Sequence, residues 1–225
     1  MKTDSEIQKD VMDELNWEPI LTATEIGVAV KNGIVTLSGA VDSYAKKVAA
    51  EKAAKRVAGV KAVAEDIEVK ISGTGKRNDT EIAEAVLNEL KWHSSVQEDK
   101  IKIKVENGWV TMEGEVDWEF QRSAVNKVVE NLVGVSGIIN NIKVAPRLKA
   151  KDIKQKITAA FHRSATIDSE KINIDTTGNK VILKGKVRSW AEKKDAENAA
   201  WLAPGVTSVE NKIEIDTEIY ALPNY

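Results

Sequence analysis

Apolar residues recur at every fourth position near the start of the chain (Ile7, Val11, Leu15) and then switch to every second position (Ile26, Val28, Val30). The first spacing predicts an amphipathic helix with one buried face, and the second predicts a half-buried strand. The same switch occurs twice more. Ile82, Val86 and Leu90 precede Ile101, Ile103 and Val105, and Ile153, Ile157 and Phe161 precede Ile172, Ile174 and Thr176. The offsets are 75 and then 71 residues, without a gap inside any copy. A triplicated chain separates two kinds of residue: what folding requires should recur in all copies, whereas specific chemistry can sit in one.

The remaining elements follow from the same alignment. Asn32-Gly33, Asn107-Gly108 and Gly178-Asn179 are residue types that tolerate positive φ, so each marks a two-residue hairpin turn. A second alternating strand follows, with Val35, Leu37 and Val41 inward, matched by Val110, Met112 and Val116 and by Val181, Leu183 and Val187. Its central inward position is always glycine (Gly39, Gly114, Gly185), which predicts close approach of another backbone, expected to be a helix lying across it. A second helix is expected from about Ser43 to Ala58, with small core residues Ala50, Ala53, Ala54 and Val57. Repeat 2 enlarges that face to Val125, Val128, Val129 and Leu132; repeat 3 keeps Ala196, Ala199, Ala200 and Ala203. Gly59, Gly134 and Gly205 supply the left-handed stop. A third strand closes each unit through Val63, Ile67 and Val69, then Ile138, Ile142 and Val144, then Val209, Ile213 and Ile215. The order is αββαβ, an α+β unit. A right-handed crossover sets strand three parallel to strand two, with both helices on one face of a three-stranded mixed sheet.

Several runs resemble a known family. Asn32-Gly33-Ile34-Val35-Thr36-Leu37-Ser38-Gly39-Ala40-Val41 and Asn107-Gly108-Trp109-Val110-Thr111-Met112-Glu113-Gly114-Glu115-Val116 are similar to the signature of the BON domain, named for bacterial OsmY and nodulation proteins. Val57-Ala58-Gly59-Val60, Leu132-Val133-Gly134-Val135 and Ala203-Pro204-Gly205-Val206 fit it, as do Asn140 and Asn211. Repeat 1 departs with Glu65, and repeat 3 departs at its turn and at Ile182. The resemblance implies three tandem domains, at 1–72, 77–146 and 148–218. It also implies a non-enzymatic bacterial module of envelope and osmotic-stress proteins that binds phospholipid membranes or proteins.

Composition narrows the rest. The 225 residues carry a net charge of −2, which argues against a general nucleic-acid binder. Repeat 3 is the cationic one, with 14 basic and 11 acidic side chains over 147–225. With no cysteine, disulfides, thiolate metal sites and thiol nucleophiles are excluded. The N-terminus shows no leader, so the expected compartment is the cytoplasm, or the periplasm where a leader has been removed.

Candidate chemistry is sparse. The histidines, His93 and His162, occupy non-equivalent positions without metal-ligand spacing, and Gly73-Thr74-Gly75 reads as a flexible linker. The acids Glu6, Glu81 and Asp152 fall in every first helical turn, where a carboxylate complements the helix dipole, so they read as structural. Lys100, Lys102 and Lys104 face Thr111, Glu113 and Glu115 across the open sheet of repeat 2, which reads as a solvated face with cross-strand pairs. The small open face of repeat 1 (Gly27, Ala29, Thr36, Ser38, Ala40) suits docking against another repeat. Neither a catalytic residue, a metal nor a cofactor is expected.

The tryptophans say more. Trp17 and Trp92 end the first helices of repeats 1 and 2, where Arg163 stands in repeat 3; packing under the following loop is expected, with a partner contact as the alternative. Trp109 opens a strand, and Trp118 with Phe120 at the start of a helix is a secondary candidate anchor. Trp190 and Trp201 fall within roughly 20° of one another around the last helix, away from its alanine face, with Lys193 and Lys194 nearby. Exposed tryptophans beside lysines on the cationic repeat would suit an anionic lipid interface. Packing against another repeat or a second molecule is the competing expectation. The partners expected are therefore a phospholipid surface or a protein, with a homo-oligomer as an alternative, and less favoured is a small-ion or ligand sensor in a cleft between repeats.

Overall fold

The computed structural model describes residues 2–73, 76–92, 100–145 and 153–216. His93, Asp152, Thr74 and Gly75 lie outside them. Repeat 1 comprises α1 (Asp4–Trp17), β1 (Ile26–Lys31), β2 (Ile34–Val41), α2 (Tyr44–Arg56) and β3 (Ala62–Val69). Repeat 2 comprises α3 (Asp79–Trp92), β4 (Ile101–Glu106), β5 (Trp109–Val116), α4 (Glu119–Glu130) and β6 (Gly137–Val144). Repeat 3 comprises α5 (Ile153–Arg163), β7 (Ile172–Thr177), β8 (Lys180–Val187), α6 (Trp190–Trp201) and β9 (Ser208–Ile215). The architecture is α+β, three αββαβ units in series, with a 3-10 turn at Ala23–Glu25 that the periodicity does not signal.

Each sheet has three strands with the second at its centre. The hairpins are antiparallel, pairing Val28 with Leu37, Ile103 with Met112 and Ile174 with Leu183. The third strand runs parallel to the second, as with Met112 beside Asn140 and Leu183 beside Asn211. The first helix of each repeat packs on its first strand, and α4 and α6 pack on the last two strands of theirs. The core follows most of the expected positions, although Val128, Leu132 and Ala199 are half-buried and Thr176 is exposed. Val11, Val35, Leu37, Ala50, Ala53, Ala54 and Val60 are fully enclosed in repeat 1, as are Val86, Val110, Met112, Val125 and Val129 in repeat 2. Ile157, Val181, Leu183, Ala196 and Ala200 fill repeat 3. Each buried aliphatic side chain contributes about 1.5–3 kcal/mol, so a unit of this size rests on a short list of residues.

The first-turn acids serve the fold by a mechanism more specific than the dipole. Glu6 accepts from the Thr3 backbone N–H at 2.7 Å while the Thr3 hydroxyl accepts from Glu6 N, which closes a capping box. Glu81 and Asn78 repeat the exchange, both at 2.9 Å. The strand glycines show the expected close approach, but the neighbour is a strand backbone and not a helix. A Cβ at Gly39, Gly114 or Gly185 would stand 2.2, 2.1 or 2.0 Å from the carbonyl oxygen of Glu25, Lys100 or Lys171, just ahead of the paired first strand. Their φ angles of 129°, 146° and 136° exclude other residues a second time.

The residues fall into two compact units. One holds repeat 3 with most of repeat 1, and the other holds repeat 2 with residues 40–48.

Candidate contact surfaces

Trp190 and Trp201 do not form the exposed face that helical spacing suggested. Trp190 opens α6 after Ser189, whose hydroxyl caps the helix by accepting from Glu192 N at 3.2 Å. The ring is half-buried, and its Nε1–H donates to the Val60 carbonyl of repeat 1 at 3.0 Å. Ammonium groups of Lys55 (repeat 1) and Lys193 lie 5.5 and 5.0 Å from the ring centroid, within cation–π range. Lys193 also donates to the Ile213 carbonyl at 2.5 Å, and burial pushes its pKa down. Lys194, one turn on from Trp190, is exposed and pairs with Glu197 at 3.5 Å. Trp201 is only 8% exposed. Of the two expectations for this face, the packed one describes its geometry: Trp190 joins repeat 3 to the loop before β3. Spacing located the stripe correctly but carried no information about which neighbour covers it.

The opposite correction applies to Trp17 and Trp92. Expected to pack under the following loops, they are 82% and 86% exposed. Each closes its helix beyond the last core leucine (Leu15, Leu90), and the residues after Trp92, 93–99, lie outside the described ones. The surroundings are acidic. Asp13, Glu14 and Glu18 adjoin Trp17, and Glu89 precedes Trp92 by three residues. Arg56 of α2 binds Glu14 at 2.7 Å and Glu18 at 3.0 Å, and these two carboxylates raise its pKa. Asp13 faces solvent.

In repeat 2, Trp118 is half-buried at the start of α4 and Phe120 is 52% exposed. Trp109 lies flat on the open face of the sheet over Gly137, where a Cβ would meet the ring at 2.6 Å. Exposed Ile139 sits two residues along β6 from that contact. Register sets Lys102 opposite Glu113 as expected, while the Lys104 ammonium pairs along its own strand with Glu106 at 3.0 Å. In repeat 3 the open face is ion-paired across and along its strands. Lys184 meets Asp175 at 2.8 Å, and Glu210 takes Lys180 at 2.6 Å and Lys212 at 2.8 Å. Those two lysines hold the Glu210 carboxyl down at about 2. The small open face of repeat 1, expected to dock, leaves Gly27, Ala29 and Ser38 exposed.

Six polar residues, at three repeat positions, escaped the sequence reading or had no assigned role. Asp4 accepts from Asn32 N at 2.7 Å and Gly33 N at 2.9 Å, and Asp79 does the same for Asn107 and Gly108 at 2.8 and 2.9 Å. These aspartates clamp the type of turn whose central residues both have positive φ, as at Asn32 (55°) and Gly33 (77°). The signal was present in the alignment: repeat 3 has Ala150 in place of the aspartate and Gly178-Asn179 in place of Asn-Gly. Glu192, 4% exposed, is the buried charge among the described residues. Its carboxylate accepts from Asp168 N, Arg188 N and Arg188 Nε at 3.0, 3.0 and 3.2 Å. The equivalent Gln121 accepts from Asp117 N and Trp118 N, both at 3.0 Å, so the position ties the strand-to-helix junction. Asn140 and Asn211, noticed as signature residues, accept from the amides of Ile142 (3.1 Å) and Ile213 (3.2 Å); Asn211 also donates to the Lys193 carbonyl at 3.2 Å.

His162 is exposed and its Nδ1 lies 3.0 Å from the Ser169 hydroxyl. Among the described residues, no group of three or more His, Asp or Glu side chains could hold a metal ion. No described helix is long and apolar enough to cross a membrane.

These features define a class before they define a family. The chain is a tandem array of small αββαβ modules whose recurrent polar residues hold turns, caps and junctions, while its differences lie on the surfaces. The family model described as the BON domain matches residues 3–71, 78–146 and 149–217, and the chain belongs to that family. It is similar to Osmotically-inducible protein Y of Escherichia coli (strain K12), at 28% identity over 144 residues, covering 62% of this chain and 72% of that protein. Two solved structures of CdsD, a structural protein of the Type III secretion system of Chlamydia trachomatis, align at 13% identity with a TM-score of 0.25. One is the C-terminal domain; the alignments span 95% and 96% of this chain and 98% of each of those chains. At that TM-score the overlay carries no argument.

Proposed function

We propose that this osmotic-stress-type BON protein is a non-enzymatic binding module that engages other proteins through the tryptophan tips of its first two repeats. One observation carries the reading: Trp17 and Trp92, at the same repeat position, are left 82% and 86% exposed. Leaving a large indole in water forgoes burial twice over at one architectural point, and exposed aromatic surface of this kind marks a contact site. The acids around Trp17 favour a protein surface bearing cations over anionic lipid. The test is suppression of aggregation of a denatured probe, the reduced insulin B chain, by the full chain. A Trp17→Ala, Trp92→Ala variant is expected to lose protection while keeping its circular dichroism; unchanged protection would sink the reading.

Reversible adsorption to phospholipid is the second reading, and a different observation favours it. Lys55, Lys193 and Lys194 gather around the half-buried Trp190, offering positive charge to a phosphate headgroup. Co-sedimentation with vesicles of anionic and of zwitterionic lipid tests it. Binding to the anionic set that falls in a Lys193→Gln, Lys194→Gln variant supports adsorption there, and no binding at any salt eliminates it.

A further inference from the structure

Asparagine followed by glycine occurs at two places in the chain, Asn32-Gly33 and Asn107-Gly108, and both are hairpin turns. The pair has a chemistry of its own. The glycine nitrogen can attack the side-chain carbonyl carbon of the asparagine, because glycine has no side chain to hinder the approach. The new C–N bond closes a five-membered imide while the side-chain nitrogen leaves as ammonia, taking the glycine proton with it. Water then opens the ring at either carbonyl, which yields aspartate or isoaspartate. Both products carry a new negative charge, and isoaspartate also lengthens the backbone by one carbon.

In both turns the attacking nitrogen is restrained. Asn32 and Asn107 are exposed to water, whereas Gly33 and Gly108 are buried. The Gly33 N–H donates to Asp4 Oδ1 at 2.9 Å, and its carbonyl accepts from Lys61 N at 2.8 Å. The Gly108 N–H donates to Asp79 Oδ1 at 2.9 Å, and its carbonyl accepts from Ser136 N at 2.9 Å. The asparagine N–H groups give the same carboxylates a second bond, at 2.7 and 2.8 Å. Imide formation must rotate the peptide that joins the two residues, which pulls the glycine N–H off its carboxylate. It must also remove the proton from a nitrogen that faces a carboxylate, where a developing negative charge is opposed. Repeat 3 supplies the contrast: Ala150 stands in place of the aspartate, and the turn reads Gly178-Asn179-Lys180. There the residue after asparagine is lysine, whose side chain crowds the attacking nitrogen, and the Asn179 side chain donates to the Gly205 carbonyl. The clamping aspartate is missing from the copy that lacks the reactive pair.

We propose that Asn32 and Asn107 are deamidation and isomerisation sites, and that Asp4 and Asp79 hold them closed. Each aspartate belongs to the first turn of the helix that opens its repeat. Reaction therefore follows opening of that turn, and the modified fraction of the chain records how often it has opened. The change is self-reinforcing. The new carboxylate sits on a residue whose own N–H binds Asp4 or Asp79, so like charges oppose reclosure.

The test is incubation of the full chain in mildly alkaline buffer, with peptide mapping by mass spectrometry at intervals to follow aspartate and isoaspartate at each site. In the folded chain both sites should react at least about tenfold more slowly than in the same chain unfolded by guanidinium. Asp4→Ala should speed Asn32 about tenfold and leave Asn107 unchanged, and Asp79→Ala should do the reverse, as expected when two amides lose one carboxylate. Hydrogen exchange at Leu37 and Met112, buried on the central strands, distinguishes release of the turn from unfolding of the repeat. Asp79→Asn, which keeps one acceptor and removes the charge, should also speed Asn107 with protection at Met112 unchanged. Equal rates in the folded and unfolded chains overturn the proposal. So does a slower reaction in any of these variants, which would make the carboxylate a general base. Acceleration that only tracks lost protection at Met112 in both Asp79 variants overturns it too.

Discussion

Gly114→Ala should unfold repeat 2. The new methyl would stand 2.1 Å from the Lys100 carbonyl oxygen and 3.1 Å from its carbon, both backbone atoms fixed by the ladder that pairs Ile101 with Gly114. No side-chain rotation relieves that contact, so β4 must move away or β5 must change its φ of 146°. Holding a non-glycine residue in so sparsely populated a conformation costs about 1–3 kcal/mol. Displacing a paired strand adds a cost like that of overpacking, again about 1–3 kcal/mol. The sum, about 2–6 kcal/mol, is comparable with the whole stability of a unit this small, at about 0.1 kcal/mol per residue. Gly27→Ala is the control. Its Cβ meets the Ser38 hydroxyl at 2.9 Å, the movable end of a side chain, and its φ needs no glycine, so the change should stay within about 0.5 kcal/mol. Native-state hydrogen exchange suits a chain of several units, where a single melting temperature mixes transitions. In Gly114→Ala the amides of β4, β5 and β6 should lose protection by a factor of about thirty or more, at about 1.4 kcal/mol per factor of ten. Protection of those amides within a factor of about three of wild type would refute the steric argument.

Other expectations are smaller and local. Asp79→Ala removes a carboxylate that accepts from two turn amides at 2.8 and 2.9 Å, and should cost repeat 2 about 1–2 kcal/mol, read as faster exchange at Asn107 and Gly108. Trp190→Phe keeps the ring near Lys55 and Lys193 but deletes the donor to Val60, so about 1 kcal/mol should vanish from the contact of repeats 1 and 3. A protection loss confined to repeat 3 would contradict that assignment. Glu210 should titrate at about 2 by carbon-detected NMR, below the ordinary 4.5. A depressed folded pKa favours folding above about pH 4.5, and that benefit fades as pH falls toward 2. Lys180→Gln and Lys212→Gln should each move the midpoint back up, and an unmoved midpoint would reject the lysines as its cause.

What the sequence made legible, and what it hid, divides by the range of the interaction. Helices, strands, turns and core were readable because each depends on residues a few positions apart, and three copies averaged away accidents: Gly114 could have been fortuitous, whereas Gly39, Gly114 and Gly185 together could not. The identity of the glycines' neighbour was not readable, since the carbonyl of Lys100 comes close to Gly114 only through strand register. The turn clamp lay between these cases. Asp4 to Gly33 spans 29 positions, yet the joint loss of the aspartate and the Asn-Gly order in repeat 3 recorded the contact.

Surfaces were the least legible, and the tryptophans show why. Periodicity measures an angle about a helix axis, and for α6 it correctly turned Trp190 and Trp201 away from the alanines. Whether such a stripe meets water depends on what another repeat places against it, and at Trp190 Val60 and Lys55 do so. For α1 and α3 the recurrence of the terminal tryptophans suggested packing, yet both rings are exposed. Both outcomes have one origin: coverage is decided by partners far away in sequence or in another molecule. A repeat alignment therefore identifies which surfaces to test, through positions such as the one where Trp17 becomes Arg163, but only the arrangement of the repeats shows which of those surfaces remain available.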